Sequence, residues 1–189
     1  MLILGSQSPR RKEILTDLGL SFEVIPSDFE EIIDQGLTPQ QVVLDLSYGK
    51  GRDLIHKHEN DVIICADTIV YFDGKKLGKA KNREEARQLM LDLFDHSCEV
   101  ITGNAIFSKD MVISKVTVSK VVFSKISETE LDFYLDRPDA DWQDKAGSFA
   151  IQGHAREFAQ LEGEYSSTLG LSESFLRKYL PEFEVEIPN

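Results

Sequence analysis

Apolar and polar positions along this chain fall into short blocks, each with its own period. Leu2-Ile3-Leu4 is an uninterrupted apolar run that predicts a short buried strand. Ser8 and Pro9 then supply an N-cap and a first helical residue, so a helix is expected as far as Gly19, with Ile14, Leu15 and Leu18 facing inwards. Phe22 to Ile25 alternates like a strand and leads into the acidic, loop-like stretch "SDFEEIIDQG". Thr38-Pro39-Gln40-Gln41 reads as a capping box, and a second helix should run from it towards Lys57. "VIICA", Val62 to Ala66, is continuously apolar, the pattern of a strand covered on both faces.

"IVYF", Asp73-Gly74 and "KKLG" predict a hairpin. Asn82, with Glu85 three residues on, starts a third helix whose inward face is Ala86, Leu89, Met90 and Leu93. "CEVITGNAIF" and "MVISKVTVSKVVF", joined by a Ser-Lys-Asp turn, form a long β-hairpin rich in β-branched residues. Ser127 and Glu130 cap a helix through Leu135 that Arg137-Pro138 ends. "DKAGSFAIQGHA", a polar loop "EGEYSSTLG" and a helix from about Ser172 to Lys178 complete the chain. With no internal repeat and no separating linker, residues 1–189 read as one α/β domain whose sheet mixes parallel and antiparallel strands.

Composition narrows the function. Among 189 residues there are 21 Lys and Arg against 33 Asp and Glu, a formal charge of −12, so general binding to nucleic acid or an anionic membrane is not expected. A small anion remains a natural ligand if the basic residues converge locally. No apolar run approaches the roughly 18 residues of a membrane span, and the N-terminus lacks the pattern of a signal peptide. Two cysteines make neither a disulfide framework nor a metal finger, so the cytoplasm is the expected compartment.

Four stretches carry candidate chemistry. In "GSQSPRRKEIL", a strand, a Gly/Ser turn and a helix start form a potential anion site, with Ser6 and Ser8 as hydroxyl donors and Arg10 and Arg11 as guanidinium forks. Cations at the positive end of a helix dipole are mildly unfavourable unless something negative sits beside them. The other reading is that Ser8 only caps and the arginines pair with carboxylates. In "CADTIV", Asp67 follows the apolar strand, where polar residues at strand ends commonly line a ligand crevice; a turn aspartate is the alternative. "KKLGKAKNREEA" places Lys79 beside a helix start, either as a phosphate contact or as part of a solvated loop. In "DKAGSFAIQG", Lys145 and Gln152 flank small residues, and Gln152 is either a reader of a base edge or a plain loop amide.

Taken in order, "GSQSPRRKEIL", "DFEE", "CADTIV", "LGKAKNREEA", "EVITG" and "DKAGSFAIQG" resemble the Maf family of nucleoside triphosphate pyrophosphatases, from Leu2 to about Leu171. The resemblance implies hydrolysis of a nucleoside triphosphate at the α-phosphate, giving a monophosphate and pyrophosphate. It also implies dependence on a divalent metal, magnesium or manganese. The fold it implies is a mixed, twisted central sheet with helices on both sides and a cleft between two lobes, similar to the inosine triphosphatase fold. By motif, Asp67 matches the proton acceptor, and Ser6, Arg11, Glu31, Lys50 and Lys79 match polar positions lining the catalytic cleft. Arg10, Thr68 and Gln152 match the subgroup acting on dTTP and UTP. The family is linked to cleaning of the nucleotide pool and to septum formation, and the resemblance is compatible with a homodimer.

The chemistry agrees with this. A triphosphate requires gathered cations, here Arg11, Lys50, Lys79 and a metal, and Glu31 and Asp67 are the carboxylates that can hold that metal. Departures from the family pattern are Gly5 for alanine, Ala80 for proline, and "LSYGKG" for "LAxxKA". Gly49 and Gly51 each cost a helix roughly 1 kcal/mol against alanine, so Lys50 is expected on a looser segment. The competing readings are the same hydrolysis on modified or non-canonical nucleotides, and a nucleotide-binding regulator of division.

Overall fold

Thr38, Asn82, Ser127 and Ser172 each open a helix by accepting, through the side chain, one of its first free backbone N–H groups. The structure, a computed structural model, describes residues 1–32, 34, 36–137, 142–143 and 145–188. The elements run β1 (Leu2–Leu4), α1 (Pro9–Asp17), β2 (Glu23–Val24), α2 (Pro39–Ile55), β3 (Val62–Phe72), β4 (Lys75–Leu77) and α3 (Arg83–Leu93). They continue with β5 (Ser97–Phe107), β6 (Val112–Phe123), α4 (Glu128–Leu135), β7 (Ala159–Glu162), α5 (Tyr165–Thr168) and α6 (Glu173–Tyr179). The expected capping boxes open α2 and α4: Gln41 N–H donates to Thr38 Oγ1, and Glu130 N–H to Ser127 Oγ, each with the reciprocal bond. The Asp73-Gly74 hairpin turn has both residues at positive φ, 46° and 75°, as a tight two-residue connection requires.

The sheet is mixed, as the sequence predicts. β1 pairs in parallel with β2 and β3, while β3 with β4 and β6 with β7 are antiparallel. The strand order is β2-β1-β3-β5-β6-β7, with β4 paired to β3. The chain forms two compact units, Met1–Thr68 with Ile101–Thr117 and Glu164–Asn189, and Ile69–Val100 with Val118–Gly163.

In the first unit both faces of the parallel strands are covered. Leu2, Leu4 and Ile64 join Leu15, Ile106 and Leu176 in one cluster, while Ile3, Ile63 and Cys65 join Leu54, Ala105 and Phe107 in another. Alternate residues of one strand therefore enter different cores, which is why the runs are uninterruptedly apolar. Burial of each such isoleucine or leucine contributes about 1.5–3 kcal/mol. In the second unit, Ala86, Met90 and Leu93 of α3 pack with Val121, Phe123 and Leu131, and Phe123 meets Phe149 edge-on with centroids 4.9 Å apart.

Four local expectations change. Ser8 stands at the N-cap of α1 but makes no capping bond with its side chain; its N–H instead donates to Ser6 Oγ at 3.2 Å. Asp67 lies inside β3, not at a strand end, because "IVYF" continues the same eleven-residue strand. α2 runs unbroken through Gly49 and Gly51, and both glycines are packing points: a Cβ at Gly49 would strike the Phe29 ring, and one at Gly51 the buried Phe107 ring. Gly5 has a similar cause, since a Cβ there would meet Cys65 Sγ and Leu54 Cδ1. The segment read as the polar loop "EGEYSSTLG" begins on the last residue of β7 and contains the single-turn helix α5, whose hydroxyls satisfy local backbone groups. Pro138, expected to end α4, and Asp144 of "DKAGSFAIQG" lie outside the described residues.

Candidate active site

Asp67 is 8% exposed in the middle of β3, held there by the buried apolar residues around it. Its partner comes from α2. Lys50 Nζ lies 2.7 Å from Asp67 Oδ1 and 2.6 Å from Glu31 Oε1, and the Lys50 side chain is only 14% exposed. The glycines on either side of Lys50 make this possible. They let α2 approach Phe29 and Phe107 closely, and Phe29 is two residues before Glu31. Three residues from three segments thus meet at one ammonium group.

Arg11 is supported in a different way. Its Nε donates to the Gly170 carbonyl at 2.8 Å, its Nη1 to Ser6 Oγ at 3.0 Å, and its Nη2 to Thr68 Oγ1 at 3.5 Å. All three acceptors are neutral, and no carboxylate among the described residues pairs with it. Burial lowers the pKa of this guanidinium, an effect that the nearby Asp67 charge opposes. Burial also lowers that of Arg10, which makes no hydrogen bond or ion pair among the described residues. A partly buried positive charge held only by neutral oxygens is a ready partner for an anion.

Two residues not singled out from the sequence complete the support. Thr102, fully buried on β5, shares a 2.9 Å hydrogen bond with Thr68 and donates to the Ser167 carbonyl at 2.9 Å. Asn104, also fully buried, accepts from Ser172 N–H and donates to the Thr102 and Lys115 carbonyls. Thr102 sits within "EVITG", so its motif was visible. One of its two partners is a backbone carbonyl, which leaves no mark in a sequence.

The remaining candidates belong to the second unit. Lys79 bridges to Ala146 in antiparallel fashion, and Gly147 N–H donates to the Gly78 carbonyl, so Lys79 and Lys145 are carried by paired segments. Gln152 follows in a turn, half-buried. Neither Lys79 nor Lys145 forms an ion pair among the described residues. Burial pushes both Cys65 and Cys98 up to about 12, which removes the thiols as nucleophiles.

Glu31 and Asp67 converge on one point, now taken by Lys50. Two carboxylates completed by phosphate oxygens and water form a donor set that magnesium-sized ions accept. No group of three or more His, Cys, Asp or Glu suited to a metal exists among the described residues, so the protein alone supplies an incomplete shell. The residues fit a substrate-completed cation site. Also among the described residues, no helix is long and apolar enough to cross a membrane.

The fold and this cluster define a mixed α/β protein with an anion-receptive arginine beside a lysine-bridged carboxylate pair. Comparison with known proteins places it further. The family described as Maf-like protein matches residues 1–183, and the chain belongs to that family. It is 36% identical to a dTTP/UTP pyrophosphatase of Bacillus anthracis (strain CDC 684 / NRRL 3495), with 98% of this chain and 97% of that protein covered. The same identity and coverage hold for a protein of that name from Bacillus mycoides (strain KBAB4). Among solved structures it is similar to the Staphylococcus aureus Ham1 protein, with a TM-score of 0.49, 15% identity, and 96% and 98% of the two chains covered.

Proposed function

We propose that this protein hydrolyses nucleoside triphosphates to the monophosphate and pyrophosphate, with dTTP and UTP preferred, in the cytoplasmic nucleotide pool. The observation that carries the reading is the Arg11 guanidinium, held only by neutral oxygens, beside Asp67, Lys50 and Glu31. The dTTP/UTP pyrophosphatase name borne by relatives at 36% identity supports the choice of substrates.

In this reading Asp67 takes a proton from water as the water oxygen bonds to the α-phosphorus. The bond from that phosphorus to the α–β bridging oxygen breaks, and pyrophosphate leaves with the electron pair. Arg11, Arg10, Ser6 and Ser8 engage phosphate oxygens, as do Lys79 and Lys145. Lys50 keeps the two carboxylates from repelling the incoming phosphates. Glu31 and Asp67 would hold a magnesium or manganese ion, which would supply further neutralisation of phosphate charge. Thr68 and Gln152 belong to the selection of the base.

The test is pyrophosphate release from dTTP, UTP, CTP, 7-methyl-GTP, ITP and the common purine triphosphates, with magnesium, with manganese and with chelator. Turnover of dTTP and UTP that chelator abolishes is the expected result. Asp67→Asn is expected to lower kcat by about 10²–10⁴ while nucleotide affinity stays within a few-fold. Turnover confined to 7-methyl-GTP or ITP would overturn the substrate assignment. Nucleotide binding without release of any pyrophosphate would favour a regulatory role.

A further inference from the structure

The hydroxyl protons around Arg11 can be counted. A guanidinium only donates, a backbone carbonyl only accepts, and a threonine hydroxyl has one proton to give. Thr102 donates its proton to the Ser167 carbonyl at 2.9 Å. It therefore has none left for Thr68, and the 2.9 Å bond between the two hydroxyls must run from Thr68 to Thr102. Thr68 has then spent its own proton, and the oxygen facing Arg11 Nη2 at 3.5 Å can only accept. The direction is fixed along the whole chain, from Arg11 through Thr68 and Thr102 to Ser167.

Ser6 stands in contrast. Its oxygen accepts from Arg11 Nη1 and from Ser8 N–H, and among the described residues its proton is committed to no acceptor. Both carbonyls that receive the arginine network, Gly170 directly and Ser167 through the threonines, belong to one segment. Gly170 has φ of 111°, and a Cβ there would come within 3.1 Å of Arg11 Nε, so the glycine is what allows that carbonyl to close on the arginine.

We infer that Thr68 and Thr102 form a one-way hydroxyl relay that sets the Arg11 guanidinium, and that Thr68 serves the reaction as a positioning residue acting through Arg11, while Ser6 keeps the donor for a phosphate oxygen. This rests on the triphosphate reading above. It changes what Thr68 does within that reading: it presents no O–H to the substrate, and Thr102, which lies behind it, becomes part of the same device.

The experiment is a double-mutant cycle of Thr68→Val and Thr102→Val, read as kcat/KM for dTTP on the full chain, with Thr102→Ser as the conservative control. Each valine variant is expected to lose about tenfold, the double variant to be no worse than Thr68→Val alone, and Thr102→Ser to stay within about twofold. Losses that multiply to about a hundredfold in the double variant would overturn the relay, as would a Thr102→Ser variant as impaired as Thr102→Val. Nuclear magnetic resonance of the Arg11 side chain provides a reading that does not depend on turnover. The wild type should show a slowly exchanging Nε–H and hindered rotation about Cζ–Nη2, with the rotation freed in Thr102→Val. If the wild type hydrolyses nothing, the pyrophosphatase reading fails by itself, and the relay stands or falls on that spectrum. Unchanged Arg11 signals in a folded Thr102→Val protein would overturn it.

Discussion

Lys50 is the residue on which the two acids depend, and its situation has a measurable consequence. An ammonium 14% exposed, 2.6 and 2.7 Å from two carboxylates, neutralises charges that would otherwise repel each other. Any metal using Glu31 and Asp67 must share those oxygens with it. Lys50→Met removes the ammonium and keeps much of the side chain's volume. Breaking a buried pair costs about 3–5 kcal/mol, and the 49% exposure of the Glu31 side chain places this case at or below the lower end. Magnesium should therefore stabilise Lys50→Met more than wild type, with a larger rise in melting temperature and a lower half-saturating concentration, even as turnover falls. Equal magnesium shifts in the two proteins would mean that Lys50 and the ion do not compete. Arg11 provides the complementary case, a cation held by neutral acceptors and so left with its charge to offer.

For the helices and strands, local propensity and tertiary packing point in opposite directions at one place. Propensity alone predicts that Gly51→Ala stabilises α2 by about 1 kcal/mol. The structure predicts the reverse, because the new methyl would enter the ring of Phe107, which is 4% exposed and surrounded by Leu54, Ile63 and Ala105. Overpacking of this kind costs about 1–3 kcal/mol, so urea denaturation should show Gly51→Ala to be the less stable protein. Gly49→Ala meets the less buried Phe29 ring, and its clearer effect should be on the Lys50–Glu31 contact, through the loop that Phe29 anchors. A stabilised Gly51→Ala protein would show that the ring yields freely. The same opposition explains what could be read in the sequence. Capping boxes, the Asp-Gly hairpin and the apolar runs are local signals, and they predicted most elements correctly. Arg11 and Asp67 stand out in the sequence as charged residues at the opening helix start and within an apolar run. Lys50 and Glu31 are reached only through the family motifs; the structure brings Lys50, Glu31 and Asp67 together. The links of Thr102, Ser167 and Gly170 to Arg11 are not legible, since these residues reach it, directly or through Thr68, from 91 to 159 positions away, partly through carbonyls common to every residue.

The whole molecule carries a net charge of −12, and several ion pairs among the described residues are exposed, such as Lys57 with Asp28 and Arg177 with Glu173. Pairs of that kind contribute little to stability, so mild acid, which relieves carboxylate repulsion, should not by itself unfold the protein. Glu164 is held differently. Its carboxylate accepts from Ser174 N–H and from the hydroxyls of Ser166, Ser172 and Ser174, all at 2.7–2.8 Å. Burial pushes its pKa up, but these bonds outweigh burial and hold it below the usual glutamate value of 4.5. A carboxylate with a depressed folded pKa stabilises the folded state above its unfolded value, and that contribution is lost as pH falls through the folded one. The stability difference between wild type and Glu164→Gln should thus be full at pH 6 and shrink below about pH 4.5. The segment this carboxylate gathers is the one that presents the Ser167 and Gly170 carbonyls to the arginine network. Loss of the Arg11 Nε–H signal should therefore follow the same acid limb in wild type, and appear already at pH 6 in Glu164→Gln. Urea denaturation at pH 6 and pH 3.5, with the Arg11 spectrum at each, decides it. A difference between the two proteins that is independent of pH would show that shape, not charge, makes Glu164 hold the segment.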